Sequence, residues 1–520
     1  MKHKLKWDEI IGIFFMLISV ILLGISVFLC FSSDIWYDEL FTMGLADQPF
    51  GKLISITARD VHPPLYYMIV KLFQIVFGSI MGGIHLVVIA KLVSALPFFF
   101  CILYAATKVR KHFGMLAAGI FSFLLLSMPQ MADYTVEIRM YGYAVFFVMA
   151  GMLHAYEVIH EKRKKNYANW IALTFYSLAA CYTHYFACVA ACMVYLYLFF
   201  SFWREHNLKR NVKLFFLSGL FCTAGYLPWI TAVVTKQVGQ IKDNYWIQPL
   251  NWRSLGGCIK FLFQPFFNDE RLNAALAVLL FLCYGGLLTL LFVKWMRKGQ
   301  EEEREKAFFV LGCVAVLVGI VLFGFLASFL IRPIFVYRYM LPALGVFWLA
   351  FAVLISEVKA KKYIYIPILL CLLVIGLRNY RSFYGEEMWK RVQMDKAKEA
   401  LLEIEEEDVL VFNFDQTQAV VSYYLPNQTF LWYGEPEILI CEMYPQNHEL
   451  VENEFSDEEG ILALKKLLKK GNQVWFLGSG NAREEILEKW ENAGMEAEEC
   501  ASIMVERYWF NLYKIENYGK

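Results

Sequence analysis

Residues 10–40 read IIGIFFMLISVILLGISVFLCFSSDIWYDEL. This stretch joins a long apolar run, residues 10–31, to a short polar segment that contains the adjacent acids Asp38 and Glu39. An apolar run of about 20 residues is long enough to cross a hydrocarbon layer of about 30 Å as a helix. Carboxylates are costly close to lipid, so acids that directly follow such a helix indicate a functional site at the membrane surface.

The composition of the whole chain is that of a membrane protein. Of the 520 residues, 58% are hydrophobic, 17% aromatic and only 19% charged, whereas about a quarter of the residues of a soluble domain are charged. The formal net charge of +1 gives no indication of nucleic-acid binding. Most of the 12 cysteines lie in apolar stretches without metal-ligand spacing, which predicts buried thiols rather than a disulfide framework. Whether Cys441 and Cys500 in the polar tail pair is left open.

Eleven apolar stretches predict a polytopic α-helical membrane protein. The predicted spans are residues 10–31, 84–107, 113–129, 140–159, 168–182, 186–203, 214–234, 274–293, 308–330, 339–355 and 363–377. The first span follows three lysines and is too long for a signal-peptide core, so it is predicted to be a retained anchor. Residues 32–83 predict short helices in the membrane interface, and residues 254–267 predict an interfacial or re-entrant segment.

The distribution of loop charge predicts the orientation in the membrane. Lysine and arginine residues concentrate in alternate loops, at residues 108–111, 162–165, 204–213, 294–298 and 359–362. By the positive-inside rule, these loops and the N-terminus face the cytoplasm. The other loops face outward and contain the conspicuous polar residues, which indicates an extracytoplasmic site. Arg378 and Arg381 are an exception to the rule, because they follow the last span and the tail is predicted to lie outside.

Residues 385–520 differ in texture from the apolar part of the chain. Short β-rich runs at residues 409–412 and 474–477 alternate with helix-period stretches, which predicts a small α/β domain. The chain is therefore predicted to contain a membrane domain, residues 1–384, followed by an extracytoplasmic soluble domain. The turn at residues 478–480 lacks the spacing of a nucleotide-binding fingerprint, so no ligand is assigned to it.

A second polar cluster follows the acidic pair in the first outer segment. The sequence Asp60-Val61-His62-Pro63-Pro64 combines an acid, a titratable imidazole and two prolines that enforce an extended backbone. An outward acid can accept a proton from an attacking hydroxyl or amine, and outward arginines can stabilise a departing phosphate. These are the requirements of glycosyl transfer from a lipid phosphate, whose sugar lies at the interface while its tail lies in the bilayer.

Six short motifs carry a family resemblance. In chain order they are Asp38-Glu39, the segment 60–65, Glu137-Ile138-Arg139-Met140-Tyr141, Thr183-His184-Tyr185, Leu227-Pro228-Trp229 and Arg338-Tyr339-Met340-Leu341-Pro342. The set resembles the GT-C superfamily of membrane glycosyltransferases. Within it, the chain looks most like the group of protein O-mannosyltransferases and lipid A aminoarabinose transferases, glycosyltransferase family 39-like enzymes. The resemblance extends over roughly residues 8–380.

The resemblance implies a GT-C fold and an enzyme that moves a sugar from a polyprenyl-phosphate donor by one inverting displacement. The acceptor would be a protein, a glycolipid or a cell-wall polymer on the outer face of the membrane. The catalytic base would be Asp38 or Glu39, and the family pattern favours Asp38. No cofactor is implied, and no metal is expected to be obligatory, although paired acids do not exclude a divalent ion.

Further residues receive roles from the same resemblance. The residues that would orient the acceptor, the sugar or the phosphate are Glu39, Asp60 and His62. The candidates for contacting the phosphate and stabilising the leaving group are Arg139, Tyr141, Arg332 and Arg338. The second acid of the family's site would be Asp133 or Glu137 in the next outer loop, and His184 is a further candidate.

Other interpretations of these residues stay open. Asp38 and Glu39 could simply begin an interfacial helix, where acids suit the positive helix end, and Arg139 or Arg332 could reach lipid headgroups. His184 could be a buried polar partner. For the whole protein, the alternative function is a transporter or flippase of lipid-linked sugars, in which the same charges would line a translocation path. A non-catalytic scaffold would leave the acidic pair without a task.

Overall fold

The chain forms two compact units. The first comprises Met1–Phe31, Thr57–Phe73 and Ile89–Tyr384, and the second comprises Ser32–Ile56, Gln74–Val88 and Gly385–Lys520. The computed structural model describes residues 6–80, 85–160, 167–204, 208–236, 247–296, 301–358, 362–413, 425, 429–431, 438–444, 457–505 and 508–517. The basic loop at residues 162–165 and the side chain of Cys441 lie outside the described residues.

Long α-helices make up most of the first unit. In chain order the helices are α1 (Trp7–Leu29), α2 (Tyr37–Asp47), α3 (Phe50–Thr57), α4 (Leu65–Ile80), α5 (Leu86–Tyr104), α6 (Arg110–Ser127), α7 (Tyr141–His160), α8 (Tyr167–Thr183), α9 (Tyr185–Arg204), α10 (Leu208–Lys236), α11 (Arg253–Phe263), α12 (Glu270–Met296), α13 (Glu301–Leu330), α14 (Leu341–Glu357) and α15 (Lys362–Leu401). A single π-helical turn joins α5 to α6. Helix α2 and nearly all of α3 belong to the second unit.

Nine helical stretches within the described residues are long and apolar enough to cross a membrane. One of them, Leu86–Ser127, covers nearly all of two predicted spans, residues 84–107 and 113–129, and the helix has a kink at Gly114, just inside the second of these spans, where φ is +89°. Glycine adopts this left-handed conformation readily because it has no Cβ. A further predicted span forms α8, which with 17 residues is slightly shorter than the other candidates. All eleven predicted spans therefore form helices, and the predicted polytopic helical fold is confirmed.

The shorter predicted segments are helical as well. The segment at residues 32–83 contains α2, α3 and α4, and α4 has 16 residues, fewer than a membrane span usually needs. The segment predicted to be interfacial or re-entrant forms α11. Helix α15 differs from expectation, because it runs for 40 residues and ends far beyond the predicted end of the last span at residue 377.

Helices α7 and α14 form the centre of the first unit. Every residue from Tyr141 to Ile159 and from Leu341 to Ser356 is buried. Helices that are buried on all sides belong to the core of a bundle. At the edge of the bundle, α1 packs against α6 where Gly12 faces Gly119, and a Cβ on either glycine would overlap backbone atoms of the other helix. Small residues of this kind allow two membrane helices to approach closely.

The described part of the second unit contains a five-stranded mixed sheet. Its strands are β1 (Val409–Phe412), β2 (Thr429–Leu431), β3 (Val474–Gly478), β4 (Met495–Val505) and β5 (Tyr508–Asn517), in the order β2-β1-β3-β5-β4. Strand β1 is parallel to β2 and β3, whereas β5 is antiparallel to β3 and β4. The helices of this region are α16 (Ile438–Met443), α17 (Glu458–Lys469) and α18 (Gly480–Asn492). The predicted small α/β domain is confirmed.

The turn at residues 478–480 is held by protein groups. The Asn413 side chain donates to the Ser479 carbonyl at 2.7 Å and accepts the Ser479 N–H at 3.0 Å. The Ser479 hydroxyl donates to the Trp509 carbonyl at 2.9 Å. These bonds fix the turn to the residue that follows β1 and to β5, the two neighbours of β3 in the sheet.

Candidate active site

The segment between α3 and α4 carries His62 into a buried position. His62 precedes two prolines, and α4 begins directly after them at Leu65. Proline fixes its own φ and restricts the residue before it to extended conformations, so this lead-in is rigid. His62 is only 5% exposed, and its Nε2 accepts a hydrogen bond from Nη2 of Arg139 at 3.3 Å.

The loop before α7 supplies Arg139, and Tyr141 is the first residue of α7. Thr135 anchors this loop, because its Oγ1 lies 2.8 Å from Oγ of Ser26 on α1. A tight turn follows, in which the Arg139 N–H donates to the Glu137 carbonyl at 2.7 Å. Arg139 is 5% exposed, and its guanidinium lies 5.9 Å from the ring centre of Tyr141, within cation–π range.

His184 joins these residues from the junction of α8 and α9. It is 1% exposed, and its Nδ1 accepts a hydrogen bond from the Phe186 N–H at 3.1 Å. Its ring centre lies 5.2 Å from that of His62, 5.5 Å from that of Tyr141 and 5.1 Å from that of Tyr339. Four separate segments of the first unit therefore meet in one group of basic and aromatic side chains.

Both histidines are uncharged at neutral pH. Burial lowers the pKa of His62 well below its ordinary value, and the nearby Arg139 guanidinium lowers that pKa further. Burial, followed by the charges of Arg139 and Arg338, lowers the pKa of His184 to about 3. An imidazole in this setting stays neutral because its charged form would lose hydration and face like charges.

The hydrogen bonds determine which ring nitrogen carries the hydrogen. His62 accepts at Nε2 and therefore carries its hydrogen on Nδ1, whereas His184 accepts at Nδ1 and carries its hydrogen on Nε2. Both N–H donors are buried, and neither has a hydrogen-bond partner within the described residues. Buried donors in native proteins are nearly always paired, so these two point to an acceptor on a ligand.

Arg338 completes the group from the 3-10 turn Tyr337–Met340, which precedes α14. It is half-buried, and its charge acts on both histidines. Together these side chains form the basic cluster, which comprises His62, Arg139, Tyr141, His184 and Arg338. Two guanidinium groups together with two neutral N–H donors suit a phosphate, because each of them donates hydrogen bonds to anionic oxygens.

The other four predicted site residues of the first unit are all half-buried. Asp133 and Glu137 are half-buried in the loop before α7, and they add to the effect of burial in raising the pKa of Tyr134. Asp60 is half-buried at the start of the lead-in to α4, and Arg332 is half-buried between α13 and α14. The structure thus brings together five of the predicted residues of the first unit.

Sequence reasoning missed two tyrosines of the site. The ring centre of Tyr134 lies 5.0 Å from that of Tyr141, and the ring centre of Tyr339 lies 5.1 Å from that of His184. Tyr134 adjoins a candidate acid, and Tyr339 belongs to the motif around Arg338. Their places in these motifs were the signal that could have identified them.

The acidic pair lies in the second unit, at the start of α2. Glu39 is buried, and its Oε2 accepts the Trp36 N–H at 3.2 Å. This contact gives Glu39 the role of a helix cap, because it binds one of the N–H groups that have no partner within the helix. Asp38 is only half-buried, so its carboxylate is the more accessible of the two.

The described residues give no indication of a metal site or of a disulfide bond. In the part of the chain that the structure describes, no group of three or more His, Cys, Asp or Glu side chains could hold a metal ion. The expectation that no metal is obligatory stays a prediction. Cys500 is an exposed free cysteine on β4.

Comparison with solved structures identifies the fold. ArnT from Cupriavidus metallidurans in the apo state matches with a TM-score of 0.59 and 13% identity, over 96% of this chain and 97% of that chain. The same protein bound to undecaprenyl phosphate matches with a TM-score of 0.55 at the same identity and coverage. An Archaeoglobus fulgidus oligosaccharyltransferase tethered with an acceptor peptide matches at 12% identity, over 79% of this chain and 63% of that chain. Its TM-score of 0.43 is too low to support an argument.

The chain has the fold of the GT-C membrane glycosyltransferases. The resemblance that the motifs indicated is therefore confirmed at the level of the fold. No protein-family model and no curated protein matches the sequence. At 13% identity the similarity establishes the fold alone.

Proposed function

We propose that the protein is an integral membrane glycosyltransferase that moves a sugar from a polyprenyl-phosphate donor to an acceptor. One observation carries this proposal. The basic cluster presents two buried N–H donors, His62 Nδ1 and His184 Nε2, together with the charges of Arg139 and Arg338. The similarly folded ArnT has been solved with undecaprenyl phosphate bound, which supports a lipid phosphate as the ligand.

The basic cluster would hold the phosphate of the donor. Arg139 and Arg338 would pair with its charged oxygens, while His62 and His184 would each donate one hydrogen bond. A sugar phosphodiester carries one negative charge, and the phosphate monoester that leaves carries about two. The guanidinium groups therefore stabilise the state in which the bond is breaking more than the ground state, as catalysis requires.

Asp38 would act as the general base of the transfer. The acceptor hydroxyl or amine would give its proton to the Asp38 carboxylate while the acceptor atom attacks the anomeric carbon. The bond between that carbon and the phosphate oxygen breaks, and its electron pair leaves with the polyprenyl phosphate. Such a single displacement inverts the anomeric configuration. Glu39 would hold the start of α2 through its bond to the Trp36 N–H.

The remaining candidates would serve the sugar, the acceptor and the phosphate. Asp60, Asp133 and Glu137 would contact sugar hydroxyls or the acceptor, because each lies within a few residues of a member of the basic cluster. Tyr141 would keep the neighbouring guanidinium in place through its ring. Arg332 would be a further phosphate contact.

The distribution of loop charge would place this site on the outer face of the plasma membrane, together with residues 385–520. Acceptors available there include proteins, glycolipids and cell-wall polymers. The membrane itself would supply the donor, because a polyprenyl chain partitions into the bilayer. The proposed displacement uses acid–base and electrostatic groups of the chain and requires no cofactor.

Mass spectrometry of lipid-linked sugars and surface glycans tests the proposal. We expect a deletion strain to lack one glycan modification and to accumulate the corresponding lipid-linked sugar. Wild-type protein should reverse both changes. Asp38→Asn is nearly isosteric but cannot take a proton, so it should be expressed and bind undecaprenyl phosphate while failing to restore the glycan.

Asp47→Asn is the matched control, because it makes the same change at an exposed position at the end of α2. We expect it to restore the glycan. Restoration by Asp38→Asn would exclude Asp38 as the base. A deletion strain in which the lipid-linked sugar only changes leaflet, with no reconstituted transfer by the purified protein, would favour the transporter instead.

A further inference from the structure

Helix α2 is bound by residues that follow it by almost 400 positions. All of these residues belong to the second unit, and they are consecutive at the end of α16. The three hydrogen bonds run from the Tyr444 hydroxyl to the Leu40 carbonyl at 3.1 Å, from Gln48 Nε2 to the Met443 carbonyl at 3.4 Å, and from Lys52 Nζ to the Glu442 carbonyl at 3.1 Å. Together they attach α2 and α3 to the C-terminal part of the chain.

The contact with Tyr444 depends on Gly44. In an α-helix the carbonyl of residue i accepts the N–H of residue i+4. The Leu40 carbonyl and Gly44 therefore lie next to each other on the same face of α2. A Cβ at position 44 would lie 2.9 Å from Cε2 and 3.0 Å from the hydroxyl of Tyr444, and 3.1 Å from Sδ of Met443. The missing side chain therefore leaves room for the tyrosine to reach a backbone carbonyl in the middle of the helix.

A second contact holds the chain before α2. Lys398, in the last turn of α15, donates to Oγ of Ser33 at 2.6 Å. Asp38 therefore lies between two residues, Ser33 and Leu40, that are bound by the chain beyond residue 385. Helix α2 is also buried from its third residue, Glu39, almost to its end, which limits its freedom to shift.

We propose that Tyr444 is a positioning residue for Asp38, and that the C-terminal domain holds α2 so that this carboxylate keeps one orientation. The inference rests on the proposed function, in which Asp38 is the general base. Proton abstraction requires a base within hydrogen-bond reach of the acceptor, and a misplacement of about 1 Å can cost about 100-fold in rate. Tyr444 acts through the helix and takes no part in the chemistry.

Amide hydrogen exchange on the full-length protein measures the contact without reference to activity. Tyr444→Phe removes only the hydroxyl that binds the Leu40 carbonyl, and Gly44→Ala adds a Cβ that displaces the tyrosine ring. Both variants should speed exchange in α2 by about 3- to 10-fold, because one hydrogen bond is lost. Alanine is the better helix former, so a purely local effect of Gly44→Ala would slow exchange instead.

Transfer kinetics then test the positioning role. Both variants should lower kcat by about 10-fold, while the KM for the lipid donor and the binding of undecaprenyl phosphate stay unchanged. A general loss of folded protein would not separate these quantities. Tyr508→Phe is the matched control, because it removes a hydroxyl from an exposed tyrosine on β5 of the same unit, and it should change neither exchange in α2 nor kcat.

Each outcome decides the inference. Unchanged exchange in α2, or slower exchange in Gly44→Ala, would overturn it whether or not the protein transfers sugar. Faster exchange with an unchanged kcat would also overturn it, since the contact would then be irrelevant to the base. Absence of transfer by the wild type would refute the proposed function and with it the positioning role, and the exchange rates would still show whether Tyr444 binds α2.

Discussion

The two ends of α7 both place charged side chains in the interior of the same bundle, but their partners differ. At the end of the helix, Glu157 is 3% exposed and accepts hydrogen bonds from Lys108, from Lys111 at 3.3 Å and from His112 at 3.1 Å. At the start of the helix, the guanidinium of Arg139 donates to a neutral histidine. The carboxylate at one end is surrounded by three basic side chains, whereas the other end presents two buried imidazole N–H donors without a partner among the described residues.

The network around Glu157 also satisfies its neutral members. His154 has its Nδ1 at 2.7 Å from Oδ1 of Asn169 and its Nε2 at 3.2 Å from the Tyr104 hydroxyl, which lies 2.8 Å from the hydroxyl of Tyr176. Both ring nitrogens of His154 thus have partners, whereas each histidine of the basic cluster keeps one N–H that no described residue accepts. A closed polar network stabilises a fold, and an open one is suited to binding.

Among the substitutions that distinguish the two ends of α7, Arg139→Ala is expected to have the largest effect on transfer. Loss of one preorganised charged donor to the leaving phosphate should lower kcat/KM by about 100- to 1,000-fold. Thermal unfolding of the purified protein should change less than transfer, because the loss of a hydrogen bond such as that to His62 costs only about 1 kcal/mol. Steady-state transfer and a thermal melt in the same detergent provide the two measurements.

Arg139→Lys is the graded control for this substitution. It keeps the charge but loses the planar guanidinium that forms two parallel hydrogen bonds with an anion, so it should fall between the wild type and Arg139→Ala. A fully active Arg139→Ala would contradict the assignment of this end of α7 to the substrate.

Glu157→Gln should have the converse effect. It leaves the lysines and His112 without their counter-charge, so we expect a loss of about 1–3 kcal/mol in the free energy of unfolding. The lower part of this range applies if water compensates Lys111, which is half exposed. Transfer per folded molecule should stay near the wild-type value, as measured by activity normalised to the folded fraction.

A result opposite to this one would change the comparison. If Glu157→Gln kept its melting temperature but lost transfer, the closed network would have a catalytic or conformational role. The two ends of α7 would then both belong to the function of the protein.

The third effect is a pH dependence of stability that originates from His184. Its pKa is about 3 in the folded protein, against about 6.5 in an unfolded chain. Between these values the unfolded chain binds a proton that the folded one does not, so stability falls as pH decreases from about 6.5 towards 3. The slope for this group approaches about 1.4 kcal/mol per pH unit.

Unfolding measured at several pH values in this window, for the wild type and for His184→Gln, isolates the contribution. Glutamine does not titrate and can still accept the Phe186 N–H, so the variant should lose less stability on acidification. Equal slopes for the two proteins would show that the pKa of His184 is the same in the folded and the unfolded protein, contrary to its burial.

Most of the fold could be predicted from the sequence, because membrane spans are long and apolar and loop charge marks their ends. The exceptions have local causes. The helix kink falls at Gly114, just inside the third predicted span, and only the backbone conformation reveals it. Helix α15 continues beyond residue 377, where the apolar run ends. Hydropathy marks the end of the apolar run, but polar residues can continue the same helix.

The candidate site was less predictable, since its contacts join segments that are far apart in the chain. The motifs identified His62, Arg139 and His184 one by one, but no spacing in the sequence shows that the two imidazole rings lie 5.2 Å apart. The tautomer of each ring follows from hydrogen bonds that exist only in the folded chain. The capping role of Glu39 is likewise visible only in the folded chain, where its carboxylate accepts the Trp36 N–H.

The complete burial of α7 has a consequence for how the protein is made. A lone carboxylate such as Glu157 costs up to about 3 kcal/mol when a helix enters the membrane, and α7 has no side that is exposed to lipid in the finished bundle. Lys108 and Lys111 precede Glu157 in the chain and are synthesised first, so its counter-charges are in place when it arrives. We therefore expect α6 and α7 to insert as a pair, which makes the order of synthesis part of the assembly of the site.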